Sequence, residues 1–420
     1  MYGFLAICRI CFLAQALGEV LPLGAEGLSQ LLRETVFPPL ANVAFDRSTA
    51  VRKTACAVVS VLLIRLPHPE THHPILLPQL LARVADDHDA VASAALDALI
   101  EASTSFTIAD PAVASAEEGD DDEEQDDRGV DLPAPLDARP PPRRVRRWVR
   151  HYMDPMIDAA LPSMRDWTSR RRRETLGLLR TLVVCVEDGI TARLPDLLPV
   201  LCTASGKEDD PDIRPLLADV TALVGAFVPV DAFLAQLLPL LQGQVPGFAE
   251  GSARQSALKV FADALSGMDD AQVLPHLGEM TSTLAEPPLA ETGSAEAPPL
   301  LDACRALVEI TEESDPAAID AAAAEAPLHL AEALLRLASP TFPEPVRNEA
   351  VSLAERWARA VGYPFVSGLW RALATRIIDA WLPQAPTWEK HSDSRIMWDT
   401  MLRLAPSVRC KDVSLLRSLG

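Results

Sequence analysis

Several residue groups in this chain have the types and spacing for chemistry, and each resolves to something simpler. Cys8 and Cys11 stand in a C-x-x-C spacing that suits zinc, but no second ligand pair follows, and as i, i+3 neighbours on an apolar helix they read as core thiols. His68, His72 and His73 share the proline-rich loop from Pro67 to Pro74, which offers no thiol to complete a metal shell. The acidic run from Asp120 to Asp127 lacks the spaced ligands and central glycine of a calcium loop. Paired acids such as Asp269-Asp270 and Glu312-Glu313 fall in turns. There is no glycine-rich phosphate loop, no His-Glu-x-x-His and no G-x-S-x-G elbow. The sequence therefore predicts no catalysis, no metal and no cofactor. What remains is arginine: Arg143, Arg144, Arg146, Arg147 and Arg150, then Arg170, Arg171, Arg172 and Arg173. The second group is the candidate contact for a protein partner.

The elements that carry these groups are announced by a motif returning about every 40 residues: an apolar residue, usually an arginine, and a second apolar residue four positions after the first. It reads Val51-Arg52-Lys53-Thr54-Ala55, Val91-Ala92-Ser93-Ala94-Ala95, Ile213-Arg214-Pro215-Leu216-Leu217, Ala253-Arg254-Gln255-Ser256-Ala257 and Val346-Arg347-Asn348-Glu349-Ala350. Residues four apart lie above one another on a helix face, so the apolar pair faces a core, while the arginine beside it can reach acids or carbonyls of the neighbouring turn, Asp46 being the first example. A period near 40 with helical patterning is the mark of stacked helix pairs of the HEAT or armadillo kind. The predicted fold is thus all-α, an α-solenoid of such pairs, and such solenoids hold other proteins.

Composition agrees. The chain has 420 residues, 49% hydrophobic but only 5% aromatic, with Leu and Ala prominent, and no long stretch alternates with period two as strands do. The 36 prolines include Pro78, Pro162, Pro199, Pro239 and Pro275, expected in the first turns of helices where proline is tolerated. The net charge of −21 and the want of a basic stripe exclude nucleic acid as a partner, since phosphate neutralisation supplies most of that affinity. Seven scattered cysteines, an odd number, point to a reducing compartment. The apolar stretch Met1 to Leu17 is interrupted by Arg9 and has no basic leader; it reads as the second helix of a repeat whose first half is missing, and not as a signal peptide. Nothing approaches the 20 or so apolar residues that span a bilayer, so no membrane association is expected.

The expected organisation is N-terminal repeats over 1–107, a disordered acidic and proline-rich insert over 108–142, further repeats over 143–382, and a tryptophan-containing cap or tail over 383–420. Trp370, Trp381, Trp388 and Trp398 are expected to close the last open core face.

Four stretches resemble one family. They are the run from Leu132 to Pro142 behind the acidic segment, Asp166-Trp167-Thr168, the segment Val186-Glu187-Asp188-Gly189-Ile190-Thr191, and the pair of helices around Leu223 to Leu234. Together they resemble the HEAT-repeat dynein axonemal assembly factor 5 family over about Leu132 to Leu241; beyond Gly243 only general HEAT character continues. The resemblance implies a cytoplasmic, non-catalytic factor that preassembles outer and inner dynein arms, binding axonemal dynein heavy or intermediate chains together with chaperones and other assembly factors. Family members are longer at the N-terminus, so the chain is expected to be a partial or truncated homologue. A general HEAT-repeat adaptor, of the transport-receptor, phosphatase-scaffold or tubulin-scaffold type, is the alternative.

Overall fold

A computed structural model describes residues 30, 32–43, 46–66, 68–105, 132, 136–137, 139–166, 168–248, 251–286, 297–312, 314, 325–381 and 393–404. Among them there is helix and no strand. Cys8, Cys11 and Cys410, the acidic run, and Trp167 and Trp388 lie outside the described residues. The chain divides into two compact units, residues 1–193 with 209–227, and residues 194–208 with 228–420.

The first unit contains α1 (Phe37–Val43), α2 (Thr49–Arg65), α3 (His73–Val84), α4 (Asp89–Ser103), α5 (Arg143–His151), α6 (Met153–Ser163), α7 (Ser169–Val186) and α9 (Arg214–Phe227). The second contains α8 (Leu194–Lys207), α10 (Val230–Leu241), α11 (Gly251–Leu265), α12 (Leu277–Leu284), α13 (Ala297–Glu312), α14 (Ala326–Leu337), α15 (Glu344–Ala360), α16 (Val366–Trp381) and α17 (Asp393–Leu404). In the first unit α2 and α4 lie side by side, α3 packs on both α4 and α7, and α7 packs on α9. In the second, α11, α13 and α15 form one layer, with α12, α14 and α16 beneath it. This is the two-layer stacking of a HEAT or armadillo-like solenoid.

The recurring motif opens second helices of pairs. Val51, Val91, Ala253 and Val346 are each the third residue of their helix, and Ile213 immediately precedes α9. The residue four later is buried in every copy: Ala55, Ala95, Leu217, Ala257 and Ala350. An aspartate begins the turn before several of these helices, and its carboxylate takes the backbone N–H two residues on, as Asp46 does from Ser48, Asp86 from His88, Asp166 from Thr168 and Asp210 from Asp212. That Asx turn satisfies a donor the helix start would leave open.

The prolines depart from expectation. Pro78, Pro162, Pro199 and Pro239 sit inside α3, α6, α8 and α10 and not in their first turns, whereas Pro275 lies in the short 3-10 turn Leu274–His276. An interior proline removes one helical hydrogen bond and pushes on the carbonyl four residues back. The local cost is offset by packing: Leu76, Leu77, Leu197, Leu198, Leu237 and Leu238, the leucines that precede three of these prolines, are all buried.

At the edge of the predicted insert, Leu136 is buried and Arg139 pairs with Asp97 of α4. Trp370 and Trp398 are buried in α16 and α17, which pack on each other and on α14.

Candidate protein-docking site

Arginines on one repeat meet carboxylates on the next, at sequence distances close to the repeat length. Arg52 forks onto both oxygens of Asp86 at 2.9 and 2.8 Å and donates a third bond to Asp46 O at 2.8 Å. The sequence-based expectation for Asp46 is met through its carbonyl. Arg83, the second partner of Asp86, also reaches Glu174 of α7 at 3.3 Å. Burial raises the Glu174 carboxyl pKa above the usual range, and Arg83 pulls it back. Arg305 pairs with Glu349, and Arg356 forks onto Glu312.

The four predicted contact residues share the first turns of α7 but have different surroundings. Arg172 donates to Asp166 O at 3.0 Å, repeating the Arg52–Asp46 geometry. Arg173 bridges Asp87 at 3.2 Å and Asp212 at 3.4 Å. Arg170 reaches Asn42 O at 3.4 Å, and Arg171 lies 4.0 Å from Glu174; both remain exposed. Two of the four therefore hold turns, and two stand at the surface. Around them lies a polar cleft of about 500 Å3 in the first unit, lined by Arg52, Arg83, Arg170 and Arg173 against Asp86, Asp87, Glu174, Asp210 and Asp212. Four arginines against five carboxylates leave the cleft close to neutral.

The other arginine group forms α5, whose sequence RRVRRWVRH buries Val145, Trp148 and Val149 on one stripe. Arg143, Arg144 and Arg150 are exposed, and Arg146 and Arg147 half-buried. Trp148 Nε1 donates to His73 Nδ1 at 3.2 Å, and Tyr152 stacks edge-on against the same imidazole. Burial lowers the His73 pKa to about 4, so the ring is neutral and able to accept this bond. Arg146 pairs with Glu187, a non-glycine residue held at φ 54°, and Arg150 donates to Val186 O at 2.7 Å. The segment Val186 to Thr191 thus braces the arginine helix, a role that its composition does not reveal.

The loop histidines part company: His68 is exposed beside Glu70, His72 packs on Phe37, and His73 on Trp148. Among the described residues no three His, Cys, Asp or Glu side chains are placed to hold a metal ion. Cys56, Cys185, Cys202 and Cys304 are buried and free, and burial pushes their thiols up to about 11 or 12. No helix among the described residues is long and apolar enough to cross a membrane.

A repeated helix pair and a line of ion pairs between successive repeats define a HEAT-repeat scaffold. Residues 134–324 match the sequence model of the HEAT-repeat domain of dynein axonemal assembly factor 5. It is 24% identical over 259 residues to dynein axonemal assembly factor 5 of Xenopus laevis, covering 60% of this chain and 28% of that protein. To the Homo sapiens protein of the same name it is 22% identical over 377 residues, covering 88% of this chain and 41% of that one. The chain spans less than half the length of either relative. Among solved structures it is similar to importin beta (13% identical, TM-score 0.32, 93% of this chain and 55% of that one) and to Uso1-2 (13%, TM-score 0.29, 93% and 63%). At scores this low neither likeness bears on function.

Proposed function

We propose that this chain is a non-catalytic scaffold for cytoplasmic preassembly of outer and inner dynein arms. It holds axonemal dynein heavy or intermediate chains while chaperones and other assembly factors act on them. The observation that carries the reading is the match of residues 134–324 to the HEAT-repeat domain model of dynein axonemal assembly factor 5, set in a stack of repeats whose polar side chains join neighbours to each other. Arg170 and Arg171, exposed beside the cleft, are the client contact in this reading, whereas Arg172 and Arg173 keep the turns in place. Ciliated cells lacking the protein should lose both arm types, and dynein chains should co-purify with it from cytoplasmic extract. Normal arms and beat frequency in the knock-out would overturn the assembly role and leave a general HEAT-repeat adaptor.

A further inference from the structure

We infer that the exposed face of α2 is a second docking surface, and that its partner is an amphipathic helix of another protein with an acid at each end of its apolar strip. The inference goes beyond the assembly role and does not depend on Arg170 or Arg171. Helix α2 reads TAVRKTACAVVSVLLIR, without an acid among its 17 residues, in a chain whose net charge is −21. Its inner side is fixed: Val51, Ala55, Val58 and Leu62 are buried, and the helix packs on α3 and α4. Lys53, Ala57, Val61 and Arg65 follow one another at steps of four and so form one row along the helix. All four are exposed. The exposed large hydrophobics among the described residues are Val61, at 52%, and Phe365, and of the two Val61 stands inside a helix.

The row runs cation, apolar, apolar, cation, and the half-buried Ile64 widens its apolar centre. Its two cations are open. Among the described residues neither Lys53 nor Arg65 makes an ion pair or a side-chain hydrogen bond, whereas Arg52 of the same helix is held by Asp86 and Asp46 O. On the neighbouring α4, Glu101 takes the Ser60 hydroxyl at 3.1 Å and pairs with neither cation. The rise from Lys53 to Arg65 is about 18 Å on a helix, or roughly three turns. A partner helix lying along the row therefore meets it with acid, apolar, apolar and acid at the same steps of four, the anchor spacing of a helix docked by its apolar face. A continuous run of acids suits the face less well, because the rest of this acidic molecule repels it. Nucleic acid needs more cations than this face offers.

Fluorescence anisotropy on the full chain tests this with a labelled alanine-based helical peptide whose two glutamates and two intervening leucines repeat that spacing. The wild type should bind it, more weakly as salt rises, and K53E/R65E should bind roughly tenfold or more weakly. V61Q, at a position outside the core, should also weaken binding. A second peptide with lysines in place of the glutamates should prefer K53E/R65E to the wild type, a reversal that misfolding cannot produce. Equal binding of the two peptides by the wild type would overturn the proposal, as would no binding of either. Unchanged affinity in V61Q would overturn the apolar strip, and with it the amphipathic partner. Binding of phosphatidylserine vesicles in place of the peptide would replace the protein partner with a membrane surface. Peptide binding seen only after deletion of residues 116–131 would show that the chain's own acidic run, and not a partner, covers the row.

Discussion

Arg52 and Asp86 are the best-shielded of the inter-repeat pairs, with side chains 11% and 5% exposed. Removing one partner of such a pair leaves a charge with little water around it, at a cost of about 3–5 kcal/mol. R52A or D86A should therefore lower the denaturant midpoint of the first unit sharply, and R52A/D86A should recover part of the loss in a double-mutant cycle. His73 and Asp263 give the two units opposite pH dependence. The His73 pKa falls from its ordinary 6.5 to about 4, so the unfolded chain binds the extra proton and the first unit loses stability as pH falls from about 6.5 to 4. Burial, and then the carboxylate of Asp302, push Asp263 from 3.8 to about 6. The folded second unit binds that proton, and its contribution rises as pH falls through about 6. Hydrogen exchange followed separately in α3 and α11 across this range checks both signs, and H73Q should flatten the first. The thiols of Cys56, Cys185, Cys202 and Cys304, held at about 11 to 12, should label only after denaturation, as peptide mass spectrometry would show.

At the scale of elements, α3 and α7 approach so closely that a Cβ on Gly177 would stand 3.2 Å from both Ala82 O and Ala85 Cβ. G177V should destabilise the first unit by about 1–3 kcal/mol, measured by chemical denaturation with Trp148 fluorescence as probe. Much of this level was legible in the sequence. The apolar pair Val51 and Ala55, and its copies, placed second helices within a residue or two of their observed starts, because burial at i and i+4 constrains residue type strongly. First helices carried a mark of their own that went unread. Leu76-Leu77-Pro78, Leu197-Leu198-Pro199 and Leu237-Leu238-Pro239 are buried leucines ahead of an interior proline, and Pro199 and Pro239 stand 40 residues apart. Proline's reputation as a helix opener hid the pattern. Tertiary packing on both sides of these helices tolerates the lost hydrogen bond.

Across the whole molecule, charge is unevenly placed. The segment 116–131 holds ten acids against Arg128 alone. Deleting it should move the melting temperature by no more than a few degrees, since so polar a stretch brings little to bury; a large drop in a calorimetric scan would show that it contributes to folding. The candidate docking surface was less legible than the fold. Four consecutive arginines stand out at 170–173, but whether each serves a partner or a turn depends on residues far along the chain: Asn42 for Arg170, Asp87 and Asp212 for Arg173. No local pattern encodes such pairings. The same long reach has a consequence for synthesis. Arg52 and Arg146 lie 34 and 41 residues ahead of Asp86 and Glu187, so on the ribosome each of these arginines emerges well before that acid. At ordinary translation speeds the wait is about 2–9 s. A pause inserted by slow codons after Arg52 should therefore lengthen the interval in which the nascent chain is open to proteases and to chaperones.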